Sequence, residues 1–190
     1  GIIICASTTG RIHDGPRDGS LDCNPEMASL TMGSVMFRSS VSVNTFEEIS
    51  CLAKKMRERK IKPELEIFER GFVNTALYLE KKGILEPPLH FNFIMGSLGS
   101  ISADIRDMTY LVDSLPSGST WAAAGIGRFQ MQVVAGSILM GGHVRVGLED
   151  SLYENYESRT PANNLDMVRK VVDLARGLGR EIATPSEARR

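Results

Sequence analysis

The stretch Gly141–Asp150, GGHVRVGLED, carries most of the information on fold and site. Apolar residues fill its middle, so His143–Leu148 is predicted to form a buried strand. Two adjacent carboxylates, Glu149 and Asp150, follow at the carboxyl end of that strand. Because ligands and catalytic groups collect at this end of parallel α/β sheets, the two acids are candidate site residues.

Arg145 lies on the same predicted strand. Side chains alternate between the two faces of a strand, which predicts that Arg145 shares a face with Gly147 and Glu149. A guanidinium beside two carboxylates offers an anion clamp, a supported base and a metal ligand at one strand end.

The rest of the chain alternates short β-forming runs with amphipathic segments, which predicts parallel strands joined by helices. The six predicted strands are 2–6, 27–30, 62–68, 89–95, 120–124 and 143–148. The predicted helices are 46–60, 73–82, 101–115, 129–139 and 163–178, with one more opening at Thr184. Thr45 and Glu48 fit a capping box, and the polar stretch 11–24 is predicted to be a surface loop.

The number of βα units constrains the fold class. The chain has 190 residues, enough for one domain with a sizeable core, whereas a closed (β/α)₈ barrel needs eight strands and about 250 residues. The chain also opens inside a β-forming run, Gly1-Ile-Ile-Ile. Both facts favour a single (β/α) barrel domain over residues 1–190 that is incomplete at its N-terminus. The alternative is an open doubly wound sheet, which would need no missing part.

Composition narrows the function classes. The net charge is −1, so no electrostatic footprint favours nucleic acid or an anionic membrane as a partner. No apolar run approaches the roughly 18 residues that span a bilayer. Cys5, Cys23 and Cys51 are an odd count without metal-binding spacing, which is typical of reduced, partly buried thiols in a cytosolic protein.

Segments along nearly the whole chain resemble the β-keto acid cleavage enzymes, whose founding activity is 3-keto-5-aminohexanoate cleavage. In family order they are Ser7–Gly10, Pro25–Gly33, Lys62–Glu66, Trp121–Arg128, His143–Asp150 and Gly179–Pro185. PEMASL and VRVGLED together are the specific part of the match. The resemblance implies a TIM (β/α)₈ barrel of which this chain holds strands three to eight.

The resemblance also implies a reaction and its cofactors. Family members transfer groups between a β-keto acid and acetyl-CoA in a zinc-dependent, retro-Claisen type of cleavage that gives acetoacetate and an acyl-CoA. It further implies a cytoplasmic homotetramer in amino acid degradation. Glu149 resembles the family's third zinc ligand. The family's other two ligands come from a His-x-His motif that this sequence lacks, so they are expected in the missing N-terminal part, and the metal site of this chain is expected to be incomplete.

Two further sets of residues resemble catalytic and substrate-binding groups. Asp150 resembles an acid–base residue held ionised and oriented by Arg145; the alternative is a structural ion pair. Ser7, Gly10 and Thr31 resemble the site for the keto acid's carboxylate, where hydroxyls and turn N–H groups form an anion nest; the alternative for the turn is ordinary turn chemistry.

Other polar positions admit two interpretations. Gly99, Gly127 and Arg128 follow strands and could let coenzyme A approach the main chain; the alternative is tight βα turns.

Glu64 and Glu66 would point into a barrel, where buried acids need partners such as Arg145. Ser29 is expected to be a satisfied core hydroxyl, His143 a structural side chain and Trp121 part of the core.

Two other classes of function stay open. A non-catalytic barrel fragment, or a scaffold that associates with its own copies, would use the sheet edges that missing strands leave open. A barrel aldolase would need a Schiff-base lysine at a strand end, but Lys62 begins its strand.

Overall fold

A computed structural model describes residues 1–8 and 18–190. The strands of its main sheet are β1 (Cys5–Ala6), β2 (Met27–Thr31), β5 (Lys62–Ile67), β6 (His90–Met95), β7 (Thr120–Gly125) and β8 (His143–Val144). They run parallel in the order β1-β2-β5-β6-β7-β8. Two antiparallel pairs join β3 (Val35–Met36) to β4 (Val41–Ser42) and β9 (Tyr153–Asn155) to β10 (Thr160–Pro161).

The first four helices connect the main strands from β2 to β8, and two more follow the last strand. They are α1 (Phe46–Glu58), α2 (Arg70–Lys81), α3 (Ile105–Val112), α4 (Gln130–Leu139), α5 (Asn164–Gly177) and α6 (Pro185–Ala188). The predicted capping box of α1 is confirmed, since Thr45 Oγ1 accepts from the Glu48 amide while the Glu48 carboxylate accepts from the Thr45 amide. Thr184 caps α6 in the same way.

The face of the sheet that meets the helices is apolar. Phe91 and Phe93 of β6 are fully buried in the main core cluster, together with Leu65 of β5 and Met56 of α1. Trp121 stacks on Phe93 with ring centroids 5.5 Å apart, which confirms its place in the core. Each such side chain contributes about 1.5–3 kcal/mol through burial.

The opposite face of the sheet is polar. One registered layer runs across five strands, through Thr31, Glu66, Asn92, Ala122 and His143. Because registered neighbours project from the same side, this layer points away from the apolar cluster.

The sheet curls around its polar face. Three strand spacings of about 4.8 Å would separate β5 from β8 in a flat sheet. Yet Arg145, directly after β8, brings Nη1 to 3.8 Å from Glu66 Oε1 on β5. The chain therefore has a mixed α/β fold whose curled parallel sheet forms a half-barrel, with the polar layer on its concave side.

The prediction for the last strand is partly wrong. Pairing ends at Val144 rather than Leu148, and β8 is not buried, because β7 is its only registered partner in the described sheet. The chain then turns, as the amides of Asp150 and Ser151 both donate to the Gly147 carbonyl at 3.1 Å.

Other differences are local. Gly19–Cys23 is a 3₁₀ turn within the predicted loop, of which residues 11–17 lie outside the described residues. The three cysteines are free, as predicted, but exposed rather than partly buried. The two antiparallel pairs were not predicted, since strands of two or three residues are too short to show a period. None of the helices in the described ranges is long and apolar enough to cross a bilayer.

A histidine pair at the amino ends of the strands predicts how stability depends on pH. His90 Nδ1 lies 2.8 Å from Thr120 Oγ1, and the His90 and His143 ring centroids are 6.4 Å apart. Burial, followed by the charges of His143 and Lys62, lowers the pKa of His90 from 6.5 to about 4. The unfolded imidazole therefore takes up a proton at a higher pH than the folded one, so stability is full above pH 6.5 and falls between pH 6.5 and about 4.

We expect His90→Gln to remove up to about 2–3 kcal/mol of this pH-dependent loss. Urea unfolding at several pH values in that window measures it. Asn74→Gln, on the exposed side of α2, is the control and should keep the wild-type slope. An unchanged slope in His90→Gln would contradict the assignment.

Candidate active site

Arg145 is the centre of the polar cluster. Its Nε and Nη2 donate to Asp150 Oδ2 and Oδ1 at 2.9 and 3.1 Å, a bidentate pair. Nη2 also donates to Glu149 Oε2 at 2.8 Å. With Glu66 at 3.8 Å, one guanidinium faces three carboxylates from two segments of the chain.

The two adjacent acids have different surroundings. The Asp150 side chain is 4% exposed and that of Glu149 is 85% exposed. Burial raises the pKa of Asp150, and the Arg145 guanidinium partly offsets that rise. The carboxyl is thus oriented by Arg145 while its pKa moves towards the range in which a carboxylate accepts protons efficiently near neutral pH.

The turn at Gly147 explains this division, and it corrects the face predicted for Glu149. Strand alternation would have placed Glu149 beside Arg145 on the inner face, but the strand ends before these residues. The turn instead directs Asp150 inward and leaves Glu149 at the rim, where Arg145 reaches it across four positions.

Thr31 and Glu66 extend the cluster across the sheet. Thr31 Oγ1 donates to Glu66 Oε2 at 2.6 Å, and both residues are buried. Burial raises the pKa of Glu66, whereas Thr31 and Arg145 lower it. The prediction that an inward acid needs a partner such as Arg145 is confirmed for Glu66. A continuous polar path therefore runs from Thr31 to Asp150 over the concave face.

The end of β1 lies beside β2 in the sheet. Ser7 follows β1 directly and is exposed. The next residue, Thr8, is buried and was not predicted from the sequence as a partner of Ser29. Its amide donates to Ser29 Oγ at 3.1 Å, and its hydroxyl donates to the Ser29 carbonyl at 2.6 Å. This confirms Ser29 as a satisfied polar group. Gly10, the third predicted carboxylate-binding residue besides Thr31, lies outside the described residues.

The glycines predicted to approach coenzyme A lie in different surroundings. Gly127 has φ +64°, donates its amide to the Asp150 carbonyl at 2.6 Å, and lines an open cavity with Arg128 and Ser151. Gly99 is not among the residues that line this cavity; a Cβ at Gly99 would lie 2.2 Å from the Met36 carbonyl oxygen. The absence of a side chain at Gly99 therefore has a packing reason.

Glu149 is the one sequence-predicted metal ligand. Its exposed carboxylate at the rim suits a ligand, but a catalytic zinc site takes three protein ligands. Among residues 1–8 and 18–190, no three His, Cys, Asp or Glu side chains group as a metal site. The described residues alone do not fit a zinc site.

A buried, guanidinium-clamped acid at the carboxyl edge of a curled parallel sheet is typical of α/β enzymes that move protons. Comparison with protein families matches residues 1–190 to the beta-keto acid cleavage enzymes, and the chain belongs to this family. The resemblance seen in the sequence is thereby confirmed.

Curated relatives carry related names. The chain is 42% identical to a 3-keto-5-aminohexanoate cleavage enzyme of Fusobacterium nucleatum, over 99% of this chain and 69% of that protein. It is 44% identical to the enzyme of the same name from Acetoanaerobium sticklandii, over 98% and 69%. A 3-oxoadipate:acetyl-CoA acetyltransferase of Cupriavidus necator is 36% identical, over 100% and 68%.

A solved structure shares the fold. The apo structure of ObcA superposes with a TM-score of 0.81 at 21% identity, covering 98% of this chain. The chain spans about half (50%) of the ObcA chain.

Proposed function

We propose that the protein catalyses acetyl-CoA-dependent cleavage of a β-keto acid, giving acetoacetate and a new acyl-CoA. The observation that carries the proposal is the buried Asp150 carboxyl clamped bidentately by Arg145 at the carboxyl edge of the sheet. The names of the relatives support the same general reaction.

The finer architecture belongs to this proposal. The six strands of the main sheet correspond to strands three to eight of a TIM (β/α)₈ barrel, with residues 1–190 as one barrel domain. The protein acts as a cytoplasmic homotetramer in amino acid degradation, with a small β-keto acid and acetyl-CoA as its partners, and it binds neither nucleic acid nor membrane.

Asp150 and Arg145 carry the proton transfers. Asp150 accepts the proton from carbon 2 of the keto acid, and Arg145 stays paired with the carboxyl through both protonation states. The carbanion attacks the acetyl thioester and expels the coenzyme A thiolate. The thiolate then attacks the original keto carbon, the old carbon–carbon bond breaks, and Asp150 returns the proton to carbon 2.

Ser7, Gly10 and Thr31 hold the keto acid's carboxylate in this scheme. Without substrate, the Thr31 hydroxyl donates its hydrogen bond to Glu66. It must therefore turn away from Glu66 in order to donate to the carboxylate of the keto acid. Because the carboxylate is held in place, the free energy of substrate binding also orients carbon 2 towards Asp150.

Coenzyme A reaches the site from the side of Gly127 and Arg128. Ser151, next to Asp150 in the chain, also lines the cavity that these residues line. This supports Arg128 as a phosphate contact, although the guanidinium now lies 5.0 Å from the Phe129 ring centroid. Gly99 is the third residue proposed near the coenzyme.

Isotope labelling tests the proposed reaction. The purified enzyme is given acetyl-CoA labelled with carbon-13 in both acetyl carbons, together with a series of β-keto acids. The mechanism requires the label at carbons 3 and 4 of acetoacetate and none in the new acyl-CoA, which mass spectrometry distinguishes. Label in the acyl-CoA, or no acetoacetate with any keto acid, would refute it.

Zinc content tests the role of Glu149. We propose that Glu149 supplies one ligand of a zinc ion, which when bound would polarise the keto oxygen as a Lewis acid. Glu149→Ala should lower the zinc content of the purified enzyme at least about tenfold, because even the loss of a ligand's supporting contacts costs 10–100-fold in affinity. Glu157→Ala, also exposed, is the matched control and should keep its zinc. Equal zinc in both variants would remove Glu149 from the metal site.

A further inference from the structure

The turn that directs Asp150 inward contains a peptide group whose two polar atoms are both bound by side chains. The carbonyl of Gly147 and the amide of Leu148 belong to this one peptide group. Nε2 of Gln130 donates to the carbonyl at 3.1 Å, and Oδ1 of Asn164 accepts from the amide at 2.9 Å. Gln130 and Asn164 are called the amide pair below, and together they fix the orientation of one peptide plane.

The two residues of the amide pair come from different helices. Gln130 is the first residue of α4 and is 4% exposed, whereas Asn164 is the first residue of α5 and is exposed. Burying a side-chain amide costs free energy unless it is hydrogen-bonded, and Gly147 supplies the acceptor for Gln130 Nε2. A Cβ added at Gly147 would lie 3.4 Å from Asn164 Oδ1, so Asn164 packs directly against the turn.

The orientation of this peptide plane governs the hydrogen bonds that close the turn. The Gly147 carbonyl also accepts from the amides of Asp150 and Ser151, both at 3.1 Å. If the plane rotated, the carbonyl would point away from both amides, and the turn would open. Gly127 holds the same segment through the Asp150 carbonyl, but that bond does not involve the Gly147 carbonyl or the Leu148 amide.

We propose that the amide pair positions the Asp150 carboxyl for proton transfer by fixing the peptide plane between Gly147 and Leu148. Both residues act through the turn and make no contact with carbon 2 of the keto acid. The bidentate pair of Arg145 with Asp150 depends on the same turn, because the turn separates these two residues in the chain. The inference rests on the proposed function, since the amide pair serves the proton transfer by Asp150.

Asn164 gives the sharper test, because Gln130 also lines the cavity proposed for coenzyme A and Asn164 does not. Asn164→Leu removes the acceptor, and kcat should fall on the order of 10- to 100-fold, as for a misplaced catalytic group, with KM within about twofold. Asn164→Asp keeps an oxygen that accepts from the Leu148 amide, so its kcat should stay within about twofold of wild type. Asn74→Leu, which loses a bond from Arg70 on the exposed side of α2, is the control and should keep wild-type kcat.

The pH dependence of kcat provides a second measurement. Burial raises the pKa of Asp150, Arg145 lowers it, and the charge of Glu149 raises it. If Asn164→Leu weakens the contact with Arg145, the pKa of Asp150 rises further, and the acid limb of the kcat profile moves to higher pH. A residue that only stabilised the fold would lower Tm without moving this limb.

Coupling to Asp150 is tested by a double-mutant cycle. In an Asp150→Asn background, Asn164→Leu should lower the remaining rate by no more than about twofold, because the amide pair acts through the carboxyl. Gln130→Met removes the donor but keeps an unbranched side chain of similar length. It should lower kcat on the same order, 10- to 100-fold, and it covers the case in which Asn164→Leu fails to fold.

Several results would overturn the inference. They are an unchanged kcat in Asn164→Leu or Gln130→Met, a raised KM at unchanged kcat, an equal loss in Asn164→Asp and Asn164→Leu, an acid limb that does not move, and full additivity with Asp150→Asn. A wild-type enzyme that makes no labelled acetoacetate refutes the proposed function instead. An active wild type with unaffected Asn164 and Gln130 variants refutes the role of the amide pair alone.

Discussion

Asp150→Asn should lower kcat by about 10²- to 10⁴-fold, the range that a positioned acid–base group contributes. Asparagine keeps the size of the side chain but cannot accept the proton from carbon 2. Arg145 would still find one oxygen to bond, so the local structure should persist. Steady-state rates of acetoacetate formation measure the loss.

Two comparisons isolate the chemical step. Asp173→Asn, on the exposed side of α5, should keep the wild-type rate. Zinc content in Asp150→Asn should stay near that of the wild type, since the proposed ligand is the neighbouring Glu149. A variant that turns over normally would remove Asp150 from the mechanism.

The location of the site followed from local sequence. A β-forming run that ends on two acids places these acids at the carboxyl edge of a parallel sheet. The structure brings Arg145, Glu149 and Asp150 together at that edge. The capping box at Thr45 could be predicted equally well, because it involves residues three apart in the chain. At Thr184 the sequence predicted the start of a helix, and the structure shows a capping box there as well. Local chemistry of this kind is independent of how the sheet curls.

Contacts between residues far apart in the chain could not be predicted from the sequence in the same way. The contact between Glu66 and Arg145 joins residues separated by two intervening strands, so it depends on the curvature of the sheet. Which of the two acids turns inward depends on the turn at Gly147 rather than on strand alternation. That the buried Asn92 amide has no hydrogen-bond partner among the described residues could not be predicted from sequence either, since it depends on the packing around β6.

The same long-range contacts make Arg145 a position at which substitution should cost much stability. The carboxyls of Asp150 and Glu66 are almost fully buried, and Arg145 is the cation that faces both. Arg145→Met keeps much of the apolar stem but leaves both acids without that cation. Removing one partner of a buried ion pair typically costs about 3–5 kcal/mol, so urea unfolding at neutral pH should show a loss of that size. Arg169→Met, on the exposed side of α5, is the control and should change stability by less than about 1 kcal/mol.

The pH dependence of this loss identifies its cause. Burial already raises the pKa of both Asp150 and Glu66 in the folded protein, and removing Arg145 takes away the charge that opposes the rise. The folded variant then binds more protons than the unfolded chain above the ordinary carboxyl pKa of about 4, so its stability increases as the pH falls towards that value. The difference from wild type should therefore be smaller at about pH 5 than at about pH 8. An equal loss at both pH values would instead assign the effect to lost packing of the Arg145 stem, and the carboxyls would not be its origin.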